Sequence, residues 1–219
     1  AEYLLTLLSA NYNVALLSRG YGRKTKGFRL ADENDTARTI GDEPMQIHTH
    51  FPHIPVAVCA DRVKGVRKLQ QLFPDLQCII LDDAYQHRSL CCGLYVLLTP
   101  YDCLYVHDHM LPWGRLRDLP NQSIRANLVV VTKCPKNMLP IDRRVVANEL
   151  QLPSYQQLVF SHIAYKQLSL PGTPLLVTGI ANPKPMLAYL REQYPNTELL
   201  SFPDHHMFTN QDIKNILSR

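Results

Sequence analysis

Short β-rich runs, most of them uninterrupted apolar stretches, recur along this chain, at residues 13–17, 54–59, 77–81, 93–98, 127–132, 158–163, 174–178 and 198–202. A strand with one wet face alternates apolar and polar residues. A run such as Gln77-Cys78-Ile79-Ile80-Leu81 does not alternate, and so needs cover on both faces, as a parallel sheet between helices provides. Between several runs the period changes to that of a helix: 61–73 sets Val63, Val66, Leu69 and Leu72 on one face, and 141–150 and 183–194 follow suit. Strand and helix alternation predicts an α/β fold, a doubly wound and mostly parallel sheet. The Pro-containing stretch 151–157 predicts a break between a larger domain, residues 1–157, and a smaller C-terminal α/β domain, residues 158–219.

Composition narrows the function classes. With 46% hydrophobic and 19% charged residues the chain folds rather than solvates. A net charge of +4 is too mild to mark a nucleic-acid binder, though it suits work near phosphates or anionic headgroups. The six cysteines form no C-x-x-C pair and several sit in apolar runs, the usage of free thiols in a reducing cytosol. No apolar stretch approaches the roughly 20 residues that span a bilayer. The chain opens at Ala1 inside an apolar helical pattern (Leu4, Leu5, Leu7, Leu8) and ends in another at 210–219 without a closing glycine. Both ends are therefore expected to continue in a longer polypeptide.

Ligands of parallel sheets gather at the carboxyl ends of strands, which directs attention to the residues after each apolar run. Ser18-Arg19-Gly20-Tyr21-Gly22-Arg23 offers guanidinium forks and close backbone approach, or a solvated turn with basic flanks. Gly41-Asp42-Glu43-Pro44 offers a general base and a magnesium ligand, or the acidic first turn of a helix. The fullest signal is Ile79-Ile80-Leu81-Asp82-Asp83-Ala84-Tyr85-Gln86-His87: an apolar strand ending in carboxylates is how magnesium is held on nucleotide phosphates, and two carboxylates followed by Gln and His exceed what a turn requires. Leu111-Pro112-Trp113-Gly114-Arg115-Leu116-Arg117 joins two arginines to an irregular segment that could clamp an anion or lie in solvent. Lys133 could pack against a nucleotide base, although a lysine at a strand end is commonplace. Gly179 to Pro183 opens a helix whose amino end could face phosphate, and Asp204-His205-His206 holds groups able to move protons near neutral pH.

In this order and spacing the segments resemble the tetraacyldisaccharide 4'-kinases, over nearly the whole chain; Asp61-Arg62, opening a helix, also fits the pattern. The resemblance implies a P-loop kinase core that transfers phosphate from ATP, with Mg2+, to the 4'-hydroxyl of a lipid A precursor at the cytoplasmic face of the inner membrane. It implies Asp42 as a catalytic carboxylate coupled to His205, with Glu43, Asp82 and Asp83 near magnesium. Gln86 and His87 would align the reacting groups, and Arg19, Tyr21 and Arg117 would hold the sugar phosphate or the transferred group. Two departures stand out. No G-x-x-x-x-G-K-[ST] occurs in the sequence, so the chain is expected to start just past the family's phosphate loop. Ala84 also stands where glycine is expected.

Two other classes compete. A manganese-dependent phosphoesterase could draw ligands from Asp204-His205-His206, His107-Asp108-His109 and Asp82-Asp83, but would leave the Arg-Gly-Tyr-Gly-Arg and Gly-Asp-Glu-Pro segments without a task. A non-catalytic lipid-binding fragment would need only the substrate-facing residues.

Overall fold

The computed structural model describes residues 1–204, 206 and 208–218, and the chain divides into two compact units, Ala1–Ser161 and His162–Arg219. In the first unit helix α1 (Glu2–Ser9) leads into β1 (Val14–Ser18), a two-residue β2 (Arg29–Leu30), a single turn α2 (Ala37–Ile40) and α3 (Asp42–His50). Strand β3 (Val56–Val58), α4 (Arg62–Leu72) and β4 (Cys78–Leu81) follow. The first sheet has the order β2-β3-β1-β4, parallel except for β2, a short antiparallel edge with no counterpart among the apolar runs.

Every residue of β1 is buried, and its two faces meet different neighbours. Val14 and Leu16 join Leu5 of α1 and Ile47 of α3, whereas Ala15 and Leu17 join Leu69 of α4. Helices on both faces are what the unbroken apolar run demands. At α4 the approach is close: a Cβ on Gly65 would lie 2.7 Å from a methyl carbon of Leu17. Truncating Leu17 to Ala would cost about 2–5 kcal/mol through lost burial and the cavity left behind. Asp61 caps α4, its carboxylate accepting from the Lys64 amide at 3.0 Å.

A second parallel sheet, β5 (Val96–Pro100), β6 (Leu128–Thr132) and β7 (Gln157–Phe160), packs Val129 and Val131 against Val146 and Leu150 of α5 (Pro140–Leu150). Its other face is barer, with Leu98 62% exposed. Among the described residues no ladder joins β4 to β5, so the parallel order holds while the expected sheet is interrupted by the loop from Asp82 to Tyr95. Strand β7 pairs with β6, and residues 158–160 therefore stay with the first unit instead of opening the second, as the sequence had suggested. The second unit holds the parallel pair β8 (Leu175–Thr178) and β9 (Glu198–Ser201), with α6 (Lys184–Gln193) between them in sequence and α7 (Asn210–Leu217) after them. No helix among the described residues is long and apolar enough to cross a membrane.

Candidate active site

The carboxyl ends of β1 and β4 are brought together by their parallel register, Leu17 opposite Leu81. After β1 the chain turns through Gly20, at φ +69°, whose amide donates to Ser18 Oγ at 3.3 Å. Gly41, at φ +99°, lies against this turn so closely that a Cβ would sit 2.9 Å from the Tyr21 carbonyl oxygen. Backbone meets backbone, and only glycine allows it. The contact fixes the start of α3, and with it Asp42 and Glu43, beside the loop that carries Arg19 and Tyr21. Gly41 is itself the N-cap, so neither carboxylate is the capping residue, although both occupy the first turn, where the helix dipole favours them.

Tyr21 is 86% exposed and Arg19 is also exposed. Arg23 is occupied within its own loop, donating to the Gly27 carbonyl at 2.6 Å and to Thr25 Oγ1 at 3.4 Å. Its expected part as a phosphate fork is thus taken by a structural one.

At the end of β4 the Asp82 amide donates to the Leu17 carbonyl at 3.1 Å. Asp82 and Glu43 both line a cavity of about 220 Å³, with Gln46, Ile47, Ala1 and Glu2. Asp83 has left-handed backbone, φ +46°, and an exposed side chain gripped by both terminal nitrogens of Arg117, one contact measuring 2.9 Å. The Arg117 guanidinium holds the Asp83 carboxyl below the usual carboxylate range. Gln86 and His87 lie in the turn that follows, where the His87 amide donates to the Ala84 carbonyl at 2.9 Å. Burial, with the cations of Arg62 and Arg19, pushes the His87 pKa down, leaving a neutral imidazole at neutral pH. Tyr85 turns the other way: its hydroxyl donates to the Gln122 carbonyl at 2.8 Å and Arg125 stacks on its ring at 4.5 Å.

Arg62, to which the sequence assigned no role of its own, is 1% exposed. It donates to the Cys59 carbonyl at the end of β3 and, at 3.4 Å, to the Asp82 carbonyl at the end of β4. Its Nε is buried without a partner among the described residues. An arginine directly after the Asp61 cap could have been flagged, because a first-turn cation opposes the helix dipole and needs a reason.

Elsewhere the placements are plainer. Lys133 follows β6, exposed and with φ +57°. In the second unit the Asn182 side chain accepts from the Lys184 amide at 3.2 Å, closing the turn into α6. His206 stacks on Phe202 at 4.7 Å and pairs with Asp212 at 3.1 Å. His205 lies outside the described residues. Of the ligands that a phosphoesterase would draw on, His107 pairs with Glu149 at 3.1 Å, and Asp108 with Arg115 at 3.2 Å. Among the described residues no group of three or more His, Cys, Asp or Glu could hold a metal ion. All six cysteines are free.

Residues 1–219 match the tetraacyldisaccharide-1-P 4'-kinase family, LpxK. The chain belongs to this family. It is 45% identical to the tetraacyldisaccharide 4'-kinase of Flavobacterium johnsoniae over 230 residues, covering 100% of this chain and 67% of that protein. To the Bacteroides thetaiotaomicron enzyme it is 43% identical over 241 residues, covering 100% of this chain and 63% of that one. It thus spans about two thirds of the length of these relatives. The fold is that of the "apo" form of LpxK from Aquifex aeolicus crystallised in complex with ATP, with a TM-score of 0.71 and 24% identity over 94% of this chain and 67% of that one.

Proposed function

We propose that this chain forms most of a lipid kinase core that transfers the γ-phosphate of ATP to the 4'-hydroxyl of a tetraacylated glucosamine disaccharide 1-phosphate, a lipid A precursor presented at the cytoplasmic face of the inner membrane. The observation that carries the reading is the convergence of Glu43 and Asp82 on one cavity beside the first turn of α1, in a chain of this family.

The donor set fits magnesium, which takes one or two carboxylates and completes its shell with phosphate oxygens and water. Glu43 and Asp82 would hold it, while Asp83, engaged by Arg117, would stand behind them. Bound there, magnesium neutralises charge on the phosphates. Phosphoryl transfer asks the protein for position and charge more than for covalent chemistry. Arg19, Tyr21 and Arg117 would orient the acceptor and its phosphate, and Gln86 and the neutral His87 would align the reacting groups. Asp42 would take the proton of the acceptor hydroxyl together with His205, as the family resemblance implies. Lys133 remains the candidate for contact with the base.

Because no G-x-x-x-x-G-K-[ST] occurs in the sequence, residues 1–219 alone are expected to show no measurable turnover. The test is transfer of labelled γ-phosphate to the disaccharide lipid by a polypeptide extended at its amino end with such a loop. Labelled 4'-phosphorylated product supports the kinase; a folded, lipid-binding polypeptide that transfers nothing would replace it with the non-catalytic reading.

A further inference from the structure

The loop between His109 and Leu119 displays apolar side chains to solvent. Trp113 is 89% exposed and Leu111 61%, with Met110, Pro112 and Leu119 also exposed. Isolated exposed hydrophobics are ordinary, but this loop is built to hold them out. The Leu116 amide donates to the His109 carbonyl at 3.0 Å and the Leu111 amide to the Leu116 carbonyl at 3.1 Å, closing the loop at its base. The Trp113 and Gly114 amides both donate to the Met110 carbonyl at 3.1 Å, making the tip a tight turn. Asp108 accepts from the His109 amide at 2.8 Å and the Arg115 amide at 3.2 Å, and a Cβ on Gly114 would strike the His109 carbonyl oxygen at 2.2 Å. Backbone order is thus combined with exposure of Leu111, Pro112 and Trp113.

The base of the loop is cationic. Arg115 pairs with Asp108, Arg117 with Asp83, and Asp118 is shared by Arg88 and Arg125, so four arginines face three carboxylates. Asp83 also feels Arg19, which begins a stretch that holds Arg23, Lys24, Lys26 and Arg29, the last of them paired with Asp35 and Asp32.

We propose that this loop is an interfacial anchor that seats Leu111, Pro112 and Trp113 among the headgroups of an anionic lipid bilayer. An indole prefers the boundary between water and acyl chains, and surplus arginines below it complement anionic headgroups. A protein partner fits less well: an interface of ordinary size takes about 800 Å² from each side, more than one apolar turn supplies. The proposal needs no nucleotide and stands apart from the kinase reading.

Trp113 is the only tryptophan of the chain, so its emission reports on the tip directly. Vesicles of phosphatidylglycerol and phosphatidylcholine added to residues 1–219 should shift the emission to the blue and cut iodide quenching several-fold, with weaker partition onto phosphatidylcholine alone. Leu111→Ser, which keeps the reporter, should weaken partition by about threefold or more, and Trp113→Ala should lower co-sedimentation by about tenfold, at unchanged far-UV circular dichroism. Any of three results would overturn the anchor: wild-type co-sedimentation by Trp113→Ala, equal partition onto both lipid compositions, or a blue shift that needs protein concentration but no vesicles. Since no phosphate is transferred in these measurements, their failure leaves the kinase reading untouched.

Discussion

Strands β4 and β6 both run parallel to their neighbours, and each is followed by a non-glycine residue in left-handed conformation, Asp83 at φ +46° and Lys133 at φ +57°. Around Asp83 the chain gathers Arg117, with Arg62 and Arg19 close enough to act on its carboxylate. After β6 the turn is closed by the Cys134 amide donating to the Ser161 carbonyl at 2.9 Å and the Cys134 thiol to Val131 at 3.3 Å, bonds in which the Lys133 ammonium takes no part. The end of a parallel strand is thus a place where a site can be built, and convergent charge from separate elements distinguishes the end where one is.

The largest effect should fall where the two ends differ most. In the loop-extended polypeptide Asp82→Asn is expected to lower turnover by about 10²-fold or more, as for a carboxylate holding a metal on the transferred group, with the fold intact by circular dichroism. Lys133→Ala should change turnover by no more than about two- to threefold, the scale of a side-chain stem against a base. Steady-state rates at saturating ATP decide it, and comparable losses at both positions would break the contrast.

Next in size is the ion pair that separates Asp83 from Asp82. Asp83→Asn and Arg117→Ala should each cost about tenfold in turnover, and the double variant little more than either, because each leaves the other without its partner. Multiplicative losses in this cycle would show that the two act separately. Thermal stability should barely move, since an exposed pair contributes about 0–1 kcal/mol.

How much of this was legible beforehand follows from the range of the interactions. The strands and helices could be read because burial on both faces leaves a local mark, as at Leu16 and Leu17, whose side chains enter different clusters. The pairing of Asp83 with Arg117 spans 34 positions and the Arg62 bridge to Asp82 spans 20, so neither has a local signature. The gap between β4 and β5 was likewise unreadable, since an apolar run announces cover and not which strand lies beside it. Arg23 and Arg19 looked alike as loop arginines, and the contacts of Arg23 with the Gly27 carbonyl and Thr25 Oγ1 tell them apart.

A carboxyl in the first turn of α7 tests whether a depressed pKa marks function. Beyond β9, Asp212 is lowered to about 2, first by the Thr209 hydroxyl and amide and then by His206. These are the bonds of a helix cap, so the depression is structural and the comparison with Asp83 must rest on partners. The folded pKa lies below the ordinary 3.8, so the stabilisation is complete above that value and is lost as pH falls from 3.8 through about 2. Thermal unfolding of the second unit followed across that window should show the loss, and Asp212→Asn should flatten it; an unchanged pH profile in the variant would assign the acid sensitivity to other groups.

The smallest effect belongs to the backbone that the two ends share. A non-glycine residue held in left-handed conformation costs about 1–2 kcal/mol, and glycine placed there gives back about 0.5–1 kcal/mol through the extra freedom of its unfolded chain. Lys133→Gly should therefore stabilise the first unit by on the order of 0.5 kcal/mol, read as a higher urea midpoint at unchanged slope. Asp83→Gly relieves the same strain but surrenders the contact with Arg117, so stability should stay near neutral while turnover falls by about tenfold, as for Asp83→Asn. For stability, left-handed geometry alone is then all that the end of β6 asks of its residue, whereas the end of β4 also uses the charge. A loss of more than about 1 kcal/mol in Lys133→Gly would mean that the lysine stem packs against something the contrast leaves out, and the two strand ends would be more alike than their partners suggest.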